Sequence, residues 1–159
     1  MRFTHLLAGL ALSLGLVACG QPAPTPARDT SAEDAAAIRA HVDRFVEAWN
    51  AADGVAVGPL IAEDAILMQP DTPAVTGRDA ILAVIAEGYD VAMIQQLATC
   101  DEVITLGDHA WARGTWHLNP TSAAEPEVQG TSGKWSGLYA RNAAGQWELA
   151  RWMWNQYEG

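Results

Sequence analysis

Two side chains in the C-terminal half of the chain, Arg113 and His117, have the chemistry for proton transfer. An imidazole titrates near neutral pH, and a guanidinium can hold a carboxylate or enolate oxygen. The two residues lie an even number of positions apart, so in a β-strand they would share one face. Together they suit acid–base chemistry on a small carbonyl compound. A cation also lowers the proton affinity of a nearby imidazole, so the alternatives are that Arg113 only orients His117, or that His117 is a rim residue near the long loop.

Tryptophan residues form the second candidate feature. Six of the seven lie after residue 94, and Trp152 and Trp154 alternate within "ARWMWNQ". In a strand these two rings would stand side by side on one face. They either fill an ordinary core or line a pocket together with polar residues.

The pattern of apolar residues predicts the elements that hold these side chains. Helical spacing from Ile38 to Trp49 predicts a first amphipathic helix that ends near "NAADG". A short second helix fits "VAVGPLIAED", the stretch "AILMQ" predicts a strand, and a third helix begins at "TGRD". From residue 94 onward, four β-rich stretches predict an antiparallel meander, with a long loop between Asn119 and Gly133. Helices first and strands last indicate the α+β class.

The composition argues against several kinds of partner. Nine Lys and Arg residues oppose nineteen Asp and Glu residues, and a net charge of −10 repels nucleic acid. No group of Cys, His and acidic residues has the spacing of a metal site, and His41 and His109 are expected at the surface. The sequence has no glycine-rich phosphate-binding loop. We therefore expect neither a metal nor another cofactor.

Residues 1–18 have the pattern of a bacterial export signal, with a basic start and an apolar run that ends at "LVA" before Cys19. These last residues resemble a lipobox, whose cysteine is lipidated and becomes the first residue of the mature protein. The alternative is a plain signal peptide with a chance cysteine at the cleavage site. Residues 19–30, rich in Pro and Ala, predict a tether, and residues 31–159 the folded domain.

We therefore expect an exported protein that a lipid on Cys19 anchors to the membrane of the bacterial cell envelope. Gly20 rather than Asp follows the cysteine. In a host with two membranes, this favours the outer membrane, facing the periplasm.

Four stretches in series carry a resemblance to a known family: "RFVEAWNAAD", "LIAEDAILMQPDTPAVTGRDAI", "GDHAWARGTW" and "GQWELARWMWN". They resemble the SnoaL-like branch of the nuclear-transport-factor-2-like (NTF2-like) superfamily, and more narrowly the domain of unknown function numbered 4440. The resemblance covers about residues 33–156. It implies a cone in which a curved antiparallel sheet wraps three N-terminal helices, with a pocket at the wide end. Members include ketosteroid isomerases, dehydratases, polyketide cyclases, epoxide hydrolases and many non-enzymes, so this fold alone does not decide the function.

Ketosteroid isomerases use a tyrosine, a carboxylate base and a neutral aspartic acid in an apolar pocket. The resemblance places Phe45, Gln69 and Gly137 at those three positions. A phenyl ring donates no hydrogen bond, and an amide is not a useful base at neutral pH. We therefore do not expect steroid isomerisation.

The family cone also implies which side chains face the pocket. The expected lining comprises Phe45, Trp49, Met68, Gln69, Trp111, Thr115, Trp135, Tyr139, Trp152 and Trp154, with His117 and Arg113 as the candidate catalytic pair. The same match places Ala110, Ala112, Gly114, Trp116, Leu118, Leu138 and Leu149 on the outer face. Because that outer face is small and apolar, we expect a second copy to cover it and form a homodimer.

Three functions follow from these expectations. The first is an envelope lipoprotein whose aromatic pocket binds a small hydrophobic or carbonyl-containing molecule. The second is an isomerase-, dehydratase- or hydrolase-type enzyme that uses His117 and Arg113. The third is a non-catalytic association module whose tryptophans only pack the core.

Overall fold

The computed structural model describes residues 31–90, 94–120 and 130–157. The predicted signal peptide (residues 1–18), the tether (residues 19–30) and the lipidation site Cys19 lie outside these residues. Within the described chain, no helix is both long and apolar enough to cross a membrane.

In the residues that the structure describes, three helices precede most of the sheet, as the sequence predicts. Helix α1 spans Ser31–Asn50, α2 spans Gly54–Val57 and continues into a 3-10 turn at Gly58–Leu60, and α3 spans Arg78–Asp90. Helix α1 turns its apolar stripe inward because Ile38, Val42, Phe45 and Ala48 recur at helical spacing, and all four are buried.

Seven strands of the described chain form one curved sheet. They are β1 (Ile61–Met68), β2 (Val75–Thr76), β3 (Ile94–Ala98), β4 (Glu102–Leu106), β5 (His109–Pro120), β6 (Thr131–Arg141) and β7 (Trp147–Tyr157). The spatial order is β2-β1-β7-β6-β5-β3, and β4 also pairs with β5. The helices pack against the inner face of this sheet, which confirms the α+β cone.

The sheet differs from the expected antiparallel meander in three respects. Strand β1 pairs with β7 in parallel, so the sheet is mixed. The first predicted meander strand is in fact two strands, β3 and β4, which pair one after the other along the same edge of β5. Strands β5 and β6 also extend into the loop predicted between Asn119 and Gly133.

The predicted faces of strand β5 are wrong. Its register with β6 pairs Ala110 with Tyr139 and Gly114 with Trp135, and paired residues point to the same side of a sheet. Tyr139 and Trp135 are buried inside the cone, and Ala110 is completely buried with them. The inner set is therefore Ala110, Ala112, Gly114, Trp116 and Leu118, which the family match had placed outside.

A bulge in β7 explains a second misplaced residue, Leu149. The register pairs Leu138 with Arg151 but Tyr139 with Leu149, so Ala150 is an extra residue in β7. The alternation of faces shifts at that point. Leu149 therefore lies inside, 6% exposed, on the same side as Trp152 and Trp154 rather than opposite them.

Polar contacts fix both ends of α1 against the sheet. Near its first turn, the guanidinium of Arg141 forms an ion pair with the buried carboxylate of Asp34 and stacks 4.2 Å from the centre of the Trp147 ring. At its last residue, the side-chain amide of Asn50 exchanges two hydrogen bonds with the backbone of Gln96, at 2.8 and 2.9 Å. The helix is thereby held over the inner face of the sheet.

Candidate ligand-binding site

A cavity of about 250 Å³ lies between α1, α3 and the inner face of the sheet. Seven aromatic side chains line it: Phe45, Trp49, Trp116, Trp135, Tyr139, Trp152 and Trp154. Trp152 and Trp154 alternate in β7 and both border this cavity. Their shared face therefore forms a cavity wall as well as packing against the core.

The aromatic rings support one another through edge-to-face packing. The Phe45 ring meets Trp152 nearly at right angles, with 5.2 Å between ring centres, and Trp116 meets Trp154 in the same way at 5.6 Å. Phe45 also stacks with Trp49 at 6.3 Å. These arrangements are the favourable ones for aromatic pairs, because the positive edge of one ring faces the negative face of the other or the rings stack with an offset.

Two of the tryptophans cross over glycines on neighbouring strands. The Trp116 ring covers Gly133 of β6 and its indole N–H donates to the carbonyl of Asn155, at 3.2 Å. The Trp135 indole lies over Gly114 of β5 and donates to the carbonyl of Thr99, at 2.9 Å. We call Trp116 and Trp135 the crossed tryptophans; their hydrogen bonds hold two walls of the cavity in fixed positions.

The cavity wall carries four polar side chains and no charged ones among the described residues: His41, Gln69, Gln96 and Tyr139. Tyr139 is 2% exposed, and burial raises the pKa of its hydroxyl. The hydroxyl is therefore protonated, and the wall uncharged, at neutral pH.

His41 shows the largest difference between the position predicted from the sequence and the position in the structure. It was expected at the surface, but it is 1% exposed, lines the cavity and packs edge-on against the Tyr139 ring with centres 5.0 Å apart. Burial lowers the pKa of His41 to about 4, and the nearby Arg44 adds to that effect against a hydrogen bond with Leu60. The only sequence feature that indicates its burial is its spacing on α1, three residues after Ile38 and four before Phe45 on the apolar face.

Seven of the ten side chains expected in the pocket border the cavity: Phe45, Trp49, Gln69, Trp135, Tyr139, Trp152 and Trp154. Met68 does not, because it is paired with Met153 on the outer face while its neighbour Leu67 points inward. Sequence reasoning also missed Trp116, Leu118 and Gln96, which do line the cavity.

The remaining expected residues all lie on the outer face of β5, so the candidate catalytic pair does not reach the cavity. Arg113 is about half exposed and its guanidinium pairs with Glu102 on β4, at 2.7 Å. The ring of His117 is hydrogen-bonded through Nδ1 to the hydroxyl of Ser132, at 2.5 Å. These two side chains engage neighbouring strands rather than a shared site.

Trp111 and Thr115 complete this outer row. The indole N–H of Trp111 donates to the hydroxyl of Ser136 at 2.7 Å, and the Thr115 hydroxyl lies 2.9 Å from that of Thr99. In the part of the chain that the structure describes, no group of three or more His, Cys, Asp or Glu side chains could hold a metal ion.

Comparison with known proteins gives a family and a set of structural neighbours. The SnoaL-like domain model matches residues 42–152. Among solved structures, the chain is similar to a conserved protein from Planctomyces limnophilus, with 25% identity and a TM-score of 0.71 over 79% of this chain and 98% of that one. No curated protein sequence matches the chain.

Two further neighbours share the fold at lower identity. A ketosteroid isomerase-like protein from Erwinia carotovora atroseptica is 24% identical, with a TM-score of 0.67 over 80% of this chain and 98% of that one. An NTF2-like protein with a cystatin-like fold from Novosphingobium aromaticivorans is 21% identical, with a TM-score of 0.69 over 80% and 84%.

Proposed function

Because the chain belongs to the SnoaL-like domain family of the NTF2-like superfamily, we propose that it binds a small, neutral, hydrophobic molecule inside its cone. The observation that carries this proposal is the cavity of about 250 Å³ with seven aromatic side chains in its wall. A concave, mostly apolar site with a few convergent polar groups is the usual form of a small-molecule site.

The size of the cavity limits the ligand. An engineered apolar cavity of about 150 Å³ in another protein holds one benzene molecule. A cavity of about 250 Å³ therefore suits a compound of one or two rings.

The wall also limits the charge of the ligand. None of the described lining residues is Asp, Glu, Lys or Arg. Moving an unpaired ion out of water into such a site costs several kcal/mol, so a carboxylate or ammonium ligand is disfavoured. The amides of Gln69 and Gln96 offer hydrogen bonds to a carbonyl or a similar neutral group.

Three features support binding rather than the enzyme alternative. His117 and Arg113 lie outside the cavity, on the outer face of β5. His41, the imidazole in the wall, has a pKa of about 4, so at neutral pH it is uncharged and its pKa is too far from the operating pH for an effective general acid or base. The positions of the isomerase groups are occupied by Phe45, Gln69 and Gly137.

The cavity is tested by thermal shift and calorimetry with the purified protein and a panel of ring compounds. Indole, toluene and 2-naphthol should raise the melting temperature, whereas benzoate, which has similar size and a charge, should not. A ligand present at about 100 times its Kd stabilises the folded state by about 2.7 kcal/mol. A panel in which no neutral compound changes the melting temperature would support the association module instead.

Trp154→Ala and Trp111→Ala form a matched pair for locating the ligand. Both tryptophans are half-buried, but only Trp154 borders the cavity. Replacing Trp154 should abolish most of the ligand-induced shift in melting temperature. It should also lower the free energy of unfolding by less than the loss of about 3–5 kcal/mol that is typical for a fully buried tryptophan. The Trp111 variant should keep the shift, and equal ligand responses in the two variants would contradict the proposed site.

A further inference from the structure

His41, whose side chain lines the cavity, has one unused hydrogen-bond acceptor. Its Nε2 lies 2.8 Å from the backbone carbonyl oxygen of Leu60. A carbonyl oxygen can only accept, so Nε2 carries the proton and donates it. The neutral ring then has a lone pair at Nδ1, and Nδ1 is the atom that remains to accept a hydrogen bond.

That acceptor has no partner in the described part of the chain. His41 Nδ1 is shielded from solvent and makes no hydrogen bond, and the same is true of Oε1 of Gln96, another side chain of the cavity wall. Buried polar atoms are satisfied in the great majority of cases, because an unpaired one loses its hydration without a replacement. Both orphaned atoms are acceptors, so the missing partner is a donor.

The His41 ring is held in place, so Nδ1 cannot find a partner by turning away. The bond to Leu60 fixes one edge of the ring, and the ring packs edge-on with Tyr139 at 5.0 Å. Burial also keeps the pKa of His41 low, so the lone pair stays free of a proton throughout the neutral range.

We infer that the molecule bound in the cavity carries a hydrogen-bond donor, a hydroxyl or a ring N–H, and that His41 Nδ1 accepts it. This inference rests on the proposed function, and it makes His41 a specificity-determining residue of that site. Because Nδ1 is shielded from solvent, the side chains around it must shift as the ligand enters. The ligand class is then a neutral ring compound with at least one donor, such as a phenol or an indole.

Isosteric ligand pairs test the inference with the purified protein. Indole and indene differ by one N–H in place of a methylene group, and phenol and toluene by a hydroxyl in place of a methyl group. Calorimetry should show that the compound with the N–H or O–H, indole or phenol, binds about tenfold more tightly than its partner. This is the gain expected when a buried acceptor is satisfied. In His41→Phe, which keeps a ring of similar size, that preference should disappear while indene and toluene still bind.

His117→Phe is the matched control, because it makes the same change at a partly buried histidine that lies on the outer face of β5, outside the cavity. It should keep the preference for indole over indene. Should His41→Phe fail to fold, nitrogen NMR of the parent protein gives an independent readout. Phenol should shift the Nδ1 resonance of His41 upfield, as a new hydrogen bond does, and toluene should not.

The outcomes separate the two proposals. If neither member of either pair binds, the proposed function itself fails. If indene and toluene bind as tightly as indole and phenol, or if His41→Phe preserves the preference, the ligand-binding cavity stands and the role of His41 is wrong.

Discussion

At the residue scale, His41 couples the interior of the cone to pH. Its pKa is lowered from 6.5 to about 4, with burial as the main cause. Between these two values the unfolded chain binds a proton at His41 that the folded protein does not. The free energy of unfolding therefore falls as the pH drops from 6.5 towards 4, by about 3 kcal/mol over the whole interval.

Urea unfolding of the parent and of His41→Phe at pH 7 and pH 4.5 measures this contribution. Carboxylates also titrate in this range, so the difference between the two proteins isolates the histidine. We expect the stability of the parent to fall more steeply than that of the variant. Parallel losses in the two proteins would show that His41 is not the neutral buried group described here.

The same residue shows why single positions of the site were hard to predict. A histidine on an amphipathic helix is more often exposed than buried, and its type says nothing about a carbonyl that comes from another part of the chain. The partner of His41 is Leu60, nineteen residues away in the 3-10 turn. That hydrogen bond, which lets the histidine be buried, forms only when the fold brings the two residues together.

At the scale of elements, the crossed tryptophans depend on two glycines. A methyl group at Gly133 would overlap the carbonyl oxygen of Asn155 and the ring of Trp116, so either a strand or a wall of the cavity must move. We expect Gly133→Ala to destabilise the protein by about 3 kcal/mol, the upper end of the usual cost of overpacking, because backbone cannot yield as a flexible side chain does.

Gly54→Ala is the matched control for this substitution. Gly54 lies in α2, and a methyl group there meets nothing within 4 Å. It should leave stability unchanged or raise it by up to about 1 kcal/mol, since alanine favours the helix. Chemical unfolding compares the two variants; similar effects in both would mean that the tryptophans do not require a bare backbone at Gly133.

Elements were predicted better than their faces. The helical spacing that begins at Ile38 gives α1, and the glycines at 107 and 145, both with positive φ, mark the turns before β5 and β7. The inner face of β5 was predicted wrongly because both of its faces carry a tryptophan. Every second residue from Ala110 to Leu118 is without a polar side chain apart from the indole of Trp116, and these residues form the buried face.

Two features of the sheet could not be obtained from alternation at all. The bulge at Ala150 shifts the faces within β7, and nothing in the local sequence marks it. The parallel pairing of β1 with β7 joins segments more than eighty residues apart, which only the closure of the cone decides. The resemblance to a family supplied the overall cone, whereas residue assignments needed the actual register.

At the scale of the whole molecule, anchoring remains a prediction on residues outside the described chain. Cys19→Ser should give an exported protein that is neither cleaved at this position nor labelled by a radioactive fatty acid. Loss of the signal segment would also remove Arg2 and change the net charge from −10 to −11. Such a charge repels anionic headgroups, so the lipid would carry the attachment. A variant that still takes up labelled fatty acid would contradict the lipobox interpretation.

The second whole-molecule prediction concerns the outer face of the sheet, whose composition the structure revises. Ala112 lies inside and completely buried, so it cannot contribute to an interface. The outer face instead exposes the large apolar side chains of Leu97, Ile104, Leu106 and Met153, each 45–62% exposed. The charges of Arg113 and Glu102 on this face already pair with each other within the sheet.

We propose that a second copy of the chain covers this face about a two-fold axis, so that the same apolar side chains meet on both sides. The domain from residue 31 to 159 should then sediment as a dimer at micromolar concentration. Ile104→Glu and Met153→Glu should each shift it to the monomer, because they place an unpaired charge within the apolar contact. Val55→Glu changes an 88% exposed valine on α2 in the same way and should leave the dimer intact. Since all three positions are exposed in the single chain, none of these substitutions should unfold it. A parent domain that sediments as a monomer would overturn the dimer and leave the outer face as exposed surface.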